Sequence, residues 1–375
     1  MSIYQRASEL REAVLAGNEA QVRACLVEHR VDPNYVPYSA DRTVALHVAA
    51  ARGNYNIASL LLDHRASVYA NDANNQTALH HAAANSARNV DAPRLIELLL
   101  ERRAHLGAFD SMRRTALHYA VQRGSVQAVE SLLDRHASVN LAGGFEQNST
   151  PLHEAMQHNQ LQVCDLLLSR SGNLAGTDTP IGLAVSLNNL PLLDMVVRHG
   201  AKVNDRAAFQ TLLPIHRAAA SGNAAIVSRL IELRADLDAE TLGIPRFHPD
   251  TKYLGWAFAP KSTPILEAIG TQSIEVLEVL LRHRASLEPH GGPNALPPLI
   301  YATVVGSFEI VKLLLDHLAD VNGTLQPRNL TALHVAARIN EPEIARLLVE
   351  RGANKAIRTL VGITSHLLIV GKLAS

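Results

Sequence analysis

One six-residue block recurs along the chain, and no other feature constrains the fold as strongly. It reads TALHHA ending at Ala82, TALHYA at Ala120, TPLHEA at Ala155 and TALHVA at Ala336. Degenerate copies are VALHVA ending at Ala49, TPIGLA at Ala184, LPIHRA at Ala218, TPILEA at Ala268 and PPLIYA at Ala302. The fourth positions fall at residues 47, 80, 118, 153, 182, 216, 266, 300 and 334, in steps of 33, 38, 35, 29, 34, 50, 34 and 34. Periods of this size imply stacked supersecondary units. A polar break follows many of the blocks, as at Gly53-Asn54, Gly124-Ser125, Gly222-Asn223 and Gly306-Ser307. A second apolar run comes next, such as IASLLLDHRASV from Ile57 and IVKLLLDHLADVN from Ile310.

The chemistry of the block suits the start of a helix. Threonine caps the N-terminus through its hydroxyl. Proline at the first helical position loses no hydrogen bond. Leucine enters the core, and the final alanine lets neighbouring helices approach closely. The second run places Ile310, Leu313 and Leu314 on one helical face. No such unit buries both of its faces alone, so units must stack.

In its blocks and its period the chain resembles the ankyrin-repeat family over almost its whole length. The resemblance implies an all-α solenoid of paired antiparallel helices, with hairpin-like fingers projecting beside a concave groove. The expected organisation is a single array over residues 1–375. Residues 1–42 hold a degenerate N-terminal unit, 43–362 nine main units, and 363–375 a truncated C-terminal cap. An aromatic-rich insertion occupies 239–262.

Composition narrows the function. The chain has 375 residues, 47% of them hydrophobic but only 4% aromatic, which favours packed helices built from small aliphatics. Lys plus Arg equal Asp plus Glu at 35 each. That balance argues against nucleic acid as the main partner and against a polybasic membrane anchor. No apolar run approaches the roughly 18 residues of a membrane span. The N-terminus shows no signal-peptide pattern. Cys25 and Cys164 read as buried reduced thiols, so the expected compartment is intracellular, with the cytoplasm first.

The 18 histidines invite a metal reading. Six hold the block's fourth position: His47, His80, His118, His153, His216 and His334. Stacked helices lie roughly 8–10 Å apart, too far for one column to share a zinc ion with bonds of about 2 Å. In ankyrin-like repeats this imidazole stitches one turn to its neighbour. His64, His136, His199, His283 and His317 end the second helix, where a cation or donor suits the C-terminus. Phosphate-loop, dinucleotide, zincin and nucleophile-elbow motifs are not found. The expectation is therefore no metal and no cofactor.

Of the aromatics, ten fall between the helical units: Tyr35, Tyr38, Tyr69, Phe109, Phe145, Phe209, Phe247, Tyr253, Trp256 and Phe258. Tyr119 and Tyr301 follow the block's fourth position, which in the family opens onto the groove. The same column carries His81, Glu154, Arg217 and Glu267. The widest step, 50 residues, contains AETLGIPRFHPDTKYLGWAFAPKS with the sole tryptophan, and it reads as a flap over the groove. The 38-residue step carries NSARNVDA, a polar helix-connecting loop.

The leading expectation is non-catalytic recognition of a protein or peptide in the groove. Its contact set is Tyr69, Phe109, Tyr119, Glu154, Phe209, Arg217, Phe247, Tyr253, Trp256, Phe258, Glu267 and Tyr301. The alternative has the groove and flap enclosing a small apolar ligand. In that reading the protein is an atypical enzyme with acid–base groups drawn from His81, Glu154, Arg217 and Glu267.

Overall fold

The computed structural model describes residues 3–36, 41–87, 91–143, 149–173, 179–206, 212–241, 261–288 and 295–359, with side chains from residue 5. Phe209, Phe247, Tyr253, Trp256 and Phe258 lie outside these residues, as do most of the insertion and the C-terminal cap at 363–375.

Among the described residues every regular element is a helix, and the twenty helices come in ten pairs. The first helices are α1 (Ile3–Leu15), α3 (Ala45–Arg52), α5 (Ala78–Ala84), α7 (Ala116–Gln122), α9 (Pro151–Gln157), α11 (Pro180–Ser186), α13 (Pro214–Ala220), α15 (Pro264–Gly270), α17 (Pro298–Val305) and α19 (Ala332–Ile339). The second helices are α2 (Glu19–Val27), α4 (Tyr55–Asp63), α6 (Ala92–Glu101), α8 (Val126–Asp134), α10 (Leu161–Ser169), α12 (Leu190–Arg198), α14 (Ala224–Glu232), α16 (Ile274–Arg282), α18 (Phe308–Asp316) and α20 (Pro342–Glu350). The polar 85–92 stretch joins the two helices of one pair, α5 and α6.

The helices group into two compact units, Met1–Gly176 and Thr177–Ser375. In the N-terminal unit each first helix packs on the next first helix, from α1 through α9, and each second helix on the next second helix, from α2 through α10. The C-terminal unit repeats this from α11 through α19 and from α14 through α20.

The two kinds of helix differ because their burial differs. All six residues from Ala45 to Ala50 in α3 are buried, and so are Pro298 to Val304 in α17. A helix enclosed on nearly every side needs small residues to reach close packing. The second helices keep one wet face. In α4, Ile57, Leu60 and Leu61 are buried while Asn56 and Asp63 face water. Each fully buried Leu or Ile contributes about 1.5–3 kcal/mol.

The breaks are equally regular. The chain turns left-handed once after every second helix, at Arg30, Arg65, Arg103, His136, Ser171, Gly200, Arg234, Arg284, Leu318 and Gly352. One such residue per helix pair marks the ten repeats independently of the block. An Arg–Asp ladder also runs between second helices, with Arg102–Asp63 at 2.7 Å, Arg170–Asp134 at 2.8 Å and Arg351–Asp316 at 2.7 Å. These pairs are substantially exposed, so each adds well under about 1 kcal/mol. Among the described residues no helix is long and apolar enough to cross a membrane.

Candidate functional site

Where the block histidine is present and buried, as at His47, His80 and His216, it ties down the base of a finger. In α5 and α7 it sits three residues after the N-cap threonine, and its Nδ1 accepts from that threonine's backbone N–H. The distances are 3.1 Å for Thr77–His80 and 3.2 Å for Thr115–His118. This is the role Glu or Gln plays in a capping box. The other nitrogen reaches the next finger: His47 Nε2 is 2.8 Å from the Ala70 carbonyl, and His80 Nε2 is 3.1 Å from the Ala108 and Arg114 carbonyls. Burial lowers the pKa of His47 and His118 to about 4. Both rings are thus neutral, as the His47 ring, which accepts from the Val44 N–H at 3.3 Å and donates to the Ala70 carbonyl, must be. His153 differs. It is half-buried and faces Gln157 at 2.9 Å, while the Thr150 hydroxyl donates to the Asn173 carbonyl at 2.8 Å.

Beside these histidines lies a buried polar network that the block alone does not reveal. Asp72 and Asp110 each stand five residues before the capping threonine. Their Oδ1 atoms close the finger turns, accepting from Asn74 and Gln76 at 2.8 Å each, and from Met112 at 2.8 Å and Arg114 at 2.7 Å. Their Oδ2 atoms face the first helices. Asp72 Oδ2 lies 3.0 Å from His81 Nε2, and Asp110 Oδ2 accepts from the Tyr119 hydroxyl at 2.8 Å. Burial outweighs the nearby carboxylate and lowers the His81 pKa, so His81 donates to Asp72 as a neutral ring. Burial also works against the Asp110 charge. Hydrogen bonds from the Arg114 backbone and Tyr119, with the Arg114 charge, win and hold its carboxyl below the usual range.

Tyr119 is the hub. Its hydroxyl also accepts from Gln76 Nε2 at 2.5 Å and from the Arg114 guanidinium. That guanidinium stacks over the ring at 4.4 Å, and His80 meets the ring edge-on at 5.8 Å. Gly143 packs against the same finger, where a Cβ would stand 2.0 Å from the Arg113 carbonyl oxygen and only hydrogen fits.

Glu154, next along the column, is half-buried on α9. Burial raises its pKa to about 7, against a smaller opposing pull from Arg114. Among the described residues no cation comes within ion-pair distance of Glu154, since Arg114 is turned to Asp110 at 3.0 Å.

Burial corrects the expected exposure of three column residues. Tyr119 is 7% exposed, Glu267 8% and Tyr301 1%. The two tyrosines are core residues. Arg217 reaches back along the preceding first helix, donating to the Gly182 carbonyl at 3.2 Å and the Ser186 hydroxyl at 2.9 Å. Tyr69 is 60% exposed and Phe109 is half-buried with Arg113 over its ring at 5.5 Å. The network therefore joins His81, Tyr119 and Arg114, with Glu154 beside it. Arg217, Glu267 and Tyr301 belong to the C-terminal unit. The signal for Asp72 and Asp110 was present in their matched spacing to Thr77 and Thr115.

A family model for ankyrin repeats matches the chain in three copies, over residues 10–110, 85–178 and 265–359. The chain belongs to the ankyrin-repeat family. Sequence comparison with curated proteins finds no match. Ankyrin repeats are in general protein-interaction modules, and the helix pairs and fingers described above are the repeats of that family in this chain.

Proposed function

We propose that the N-terminal unit is a protein-recognition module that takes a basic side chain of its partner against Glu154. One observation carries this reading. Glu154 is a partly desolvated carboxylate with no cation at ion-pair distance among the described residues, beside a network whose other polar groups already bond one another. A carboxylate in that state is costly in the free protein. A lysine or arginine placed against it regains the lost solvation, so the site favours a cationic ligand over a neutral one. The rigid neighbours Tyr119 and Arg114 limit the ordering cost of binding. The exposed Tyr69 ring supplies apolar contact area on a finger of the same unit.

The test is selection of a displayed random peptide library on full-length protein and on its Glu154→Gln variant. Peptides retained by the wild type are expected to be enriched in Arg or Lys and to be lost on the variant. Retention of the same peptides by both proteins, or enrichment of sequences without a cation, overturns the reading.

A further inference from the structure

We propose that Glu9, Cys25 and His29 form a binding site for one divalent metal ion of the zinc class. One ligand atom from each residue lies within 4.8 Å of the other two. The first helix pair brings them together. Glu9 is on α1, and Cys25 is on α2. His29 follows one helical turn after Cys25, in a segment held to the helix end by His29 N–H to Ala24 at 3.1 Å and Val31 N–H to Cys25 at 3.0 Å.

The donors are buried and unused. Cys25 is 0% exposed. Glu9 Oε2 and His29 Nδ1 are both shielded from solvent and have no hydrogen-bond partner among the described residues. Buried polar atoms are nearly always paired, so two orphans facing one thiol need an explanation. A direct hydrogen bond would draw such atoms to about 2.9 Å. Tetrahedral zinc, with bonds of roughly 2.0–2.3 Å, instead sets neighbouring donors about 3.3–3.8 Å apart. The three ligand atoms, all within 4.8 Å of one another, are close to that spacing.

The donor set also selects the metal. Thiolate, imidazole and carboxylate together suit zinc or cobalt(II), whereas calcium and magnesium take oxygen ligands. A thiolate, a carboxylate and a neutral imidazole around a dication sum to zero charge, which suits a buried position. Three protein ligands leave the fourth site to water. The consequence is structural. Among the described residues the first repeat packs on the second alone, and a shared ion would tie α1 to α2 and the segment after it.

The test uses chelator-stripped full-length protein titrated with Co²⁺ and then Zn²⁺. One equivalent of Co²⁺ should produce a thiolate-to-cobalt charge-transfer band that Zn²⁺ removes. Cys164→Ser should keep the band and Cys25→Ser should lose it. Because Cys25 is fully buried, His29→Gln and Glu9→Gln serve as milder variants, each expected to weaken Zn²⁺ binding by more than about tenfold. Zinc should raise the melting temperature of the wild type and not that of His29→Gln. No charge-transfer band in the wild type, or unchanged Zn²⁺ affinity in both His29→Gln and Glu9→Gln, overturns the proposal.

Discussion

Thr241 and Ser262 stand 21 positions apart, yet the backbone N–H of Thr241 donates to the Ser262 carbonyl at 2.9 Å, and the Ser262 N–H returns a bond to the Thr241 hydroxyl at 2.9 Å. Asp110 and Arg114 make the equivalent backbone bond at 3.0 Å, four positions apart. His216 closes the stem as His80 closes the shorter finger, with Nε2 at 2.8 Å from the Ala239 carbonyl and 3.2 Å from that of Ser262. The segment between Thr241 and Ser262 thus begins and ends at a finger base that is already closed. Replacing residues 243–259 by a short Gly-Ser link should shift the melting temperature by a few degrees at most, as loop shortening does when the stem is kept. Cooperative unfolding at a much lower temperature would show that the segment supports the repeats.

The block histidines should differ in their effect on stability. His118 is 1% exposed and bonds Thr115 through both the backbone N–H and the hydroxyl, at 3.2 and 2.9 Å. His118→Ala should cost about 1–3 kcal/mol, the range for leaving buried partners unsatisfied. His153 is half-buried and pairs with Gln157 on its own helix. His153→Ala should cost less than about 1 kcal/mol, near the range of surface substitutions. Urea unfolding of the two variants checks the order, and equal losses would contradict it.

Gly270 and Tyr301 should be coupled. A Cβ on Gly270 would lie 2.8 Å from the Tyr301 hydroxyl, and the Tyr301 ring is too buried to swing away. Gly270→Ala should therefore destabilise by about 1–3 kcal/mol, as overpacking does. Adding Tyr301→Phe removes the clashing oxygen, so the double variant should lose less than the two single losses added together. A double-mutant cycle with additive losses would refute the contact.

The helix pairs were legible because most rest on local chemistry: Thr or Pro at the start of the first helix from α5 onward, alanine at the crowded positions, and a left-handed residue at the end. The site was only half legible. His81, Tyr119 and Glu154 stand in one column of the repeat, but the column gives position and not orientation. Tyr119 folds inward because Asp110, five residues before the capping threonine, offers its hydroxyl an acceptor. Tyr301 turns inward over a glycine on the preceding first helix, which no block pattern records. Glu9, Cys25 and His29 come from two helices and the segment that follows, so only the packing of α1 on α2 joins them.

Acid should unfold the protein in a defined window. Burial holds His47, His118 and His216 near a pKa of about 4, against 6.5 for an ordinary histidine. Below 6.5 the unfolded chain takes up protons that the native rings refuse. Stability is therefore complete above 6.5 and falls as the pH drops towards 4. Each ring accounts for about 1–3 kcal/mol of that loss. Urea midpoints measured across this range should decline steeply, and His118→Gln should flatten the decline. A constant midpoint between about pH 6.5 and 4.5 would exclude the mechanism.

Glu154 should show the opposite dependence. Its pKa is raised by burial from 4.5 to about 7. Between those values the native protein keeps a proton that the unfolded chain has released, so this group stabilises less and less as the pH rises through the window. Its cost is fully present above about 7 and absent below 4.5. Glu154→Gln removes the charge while keeping the shape. The variant should be more stable than the wild type by about 1 kcal/mol near pH 8, a figure reduced for the exposed part of the side chain. Near pH 4 the two proteins should have the same stability. A basic ligand bound as proposed would reverse the order near pH 8, because only the wild type gains the new ion pair. If Glu154→Gln is instead less stable than the wild type near pH 8 without ligand, the carboxylate already has a cationic partner and the proposed recognition site is wrong.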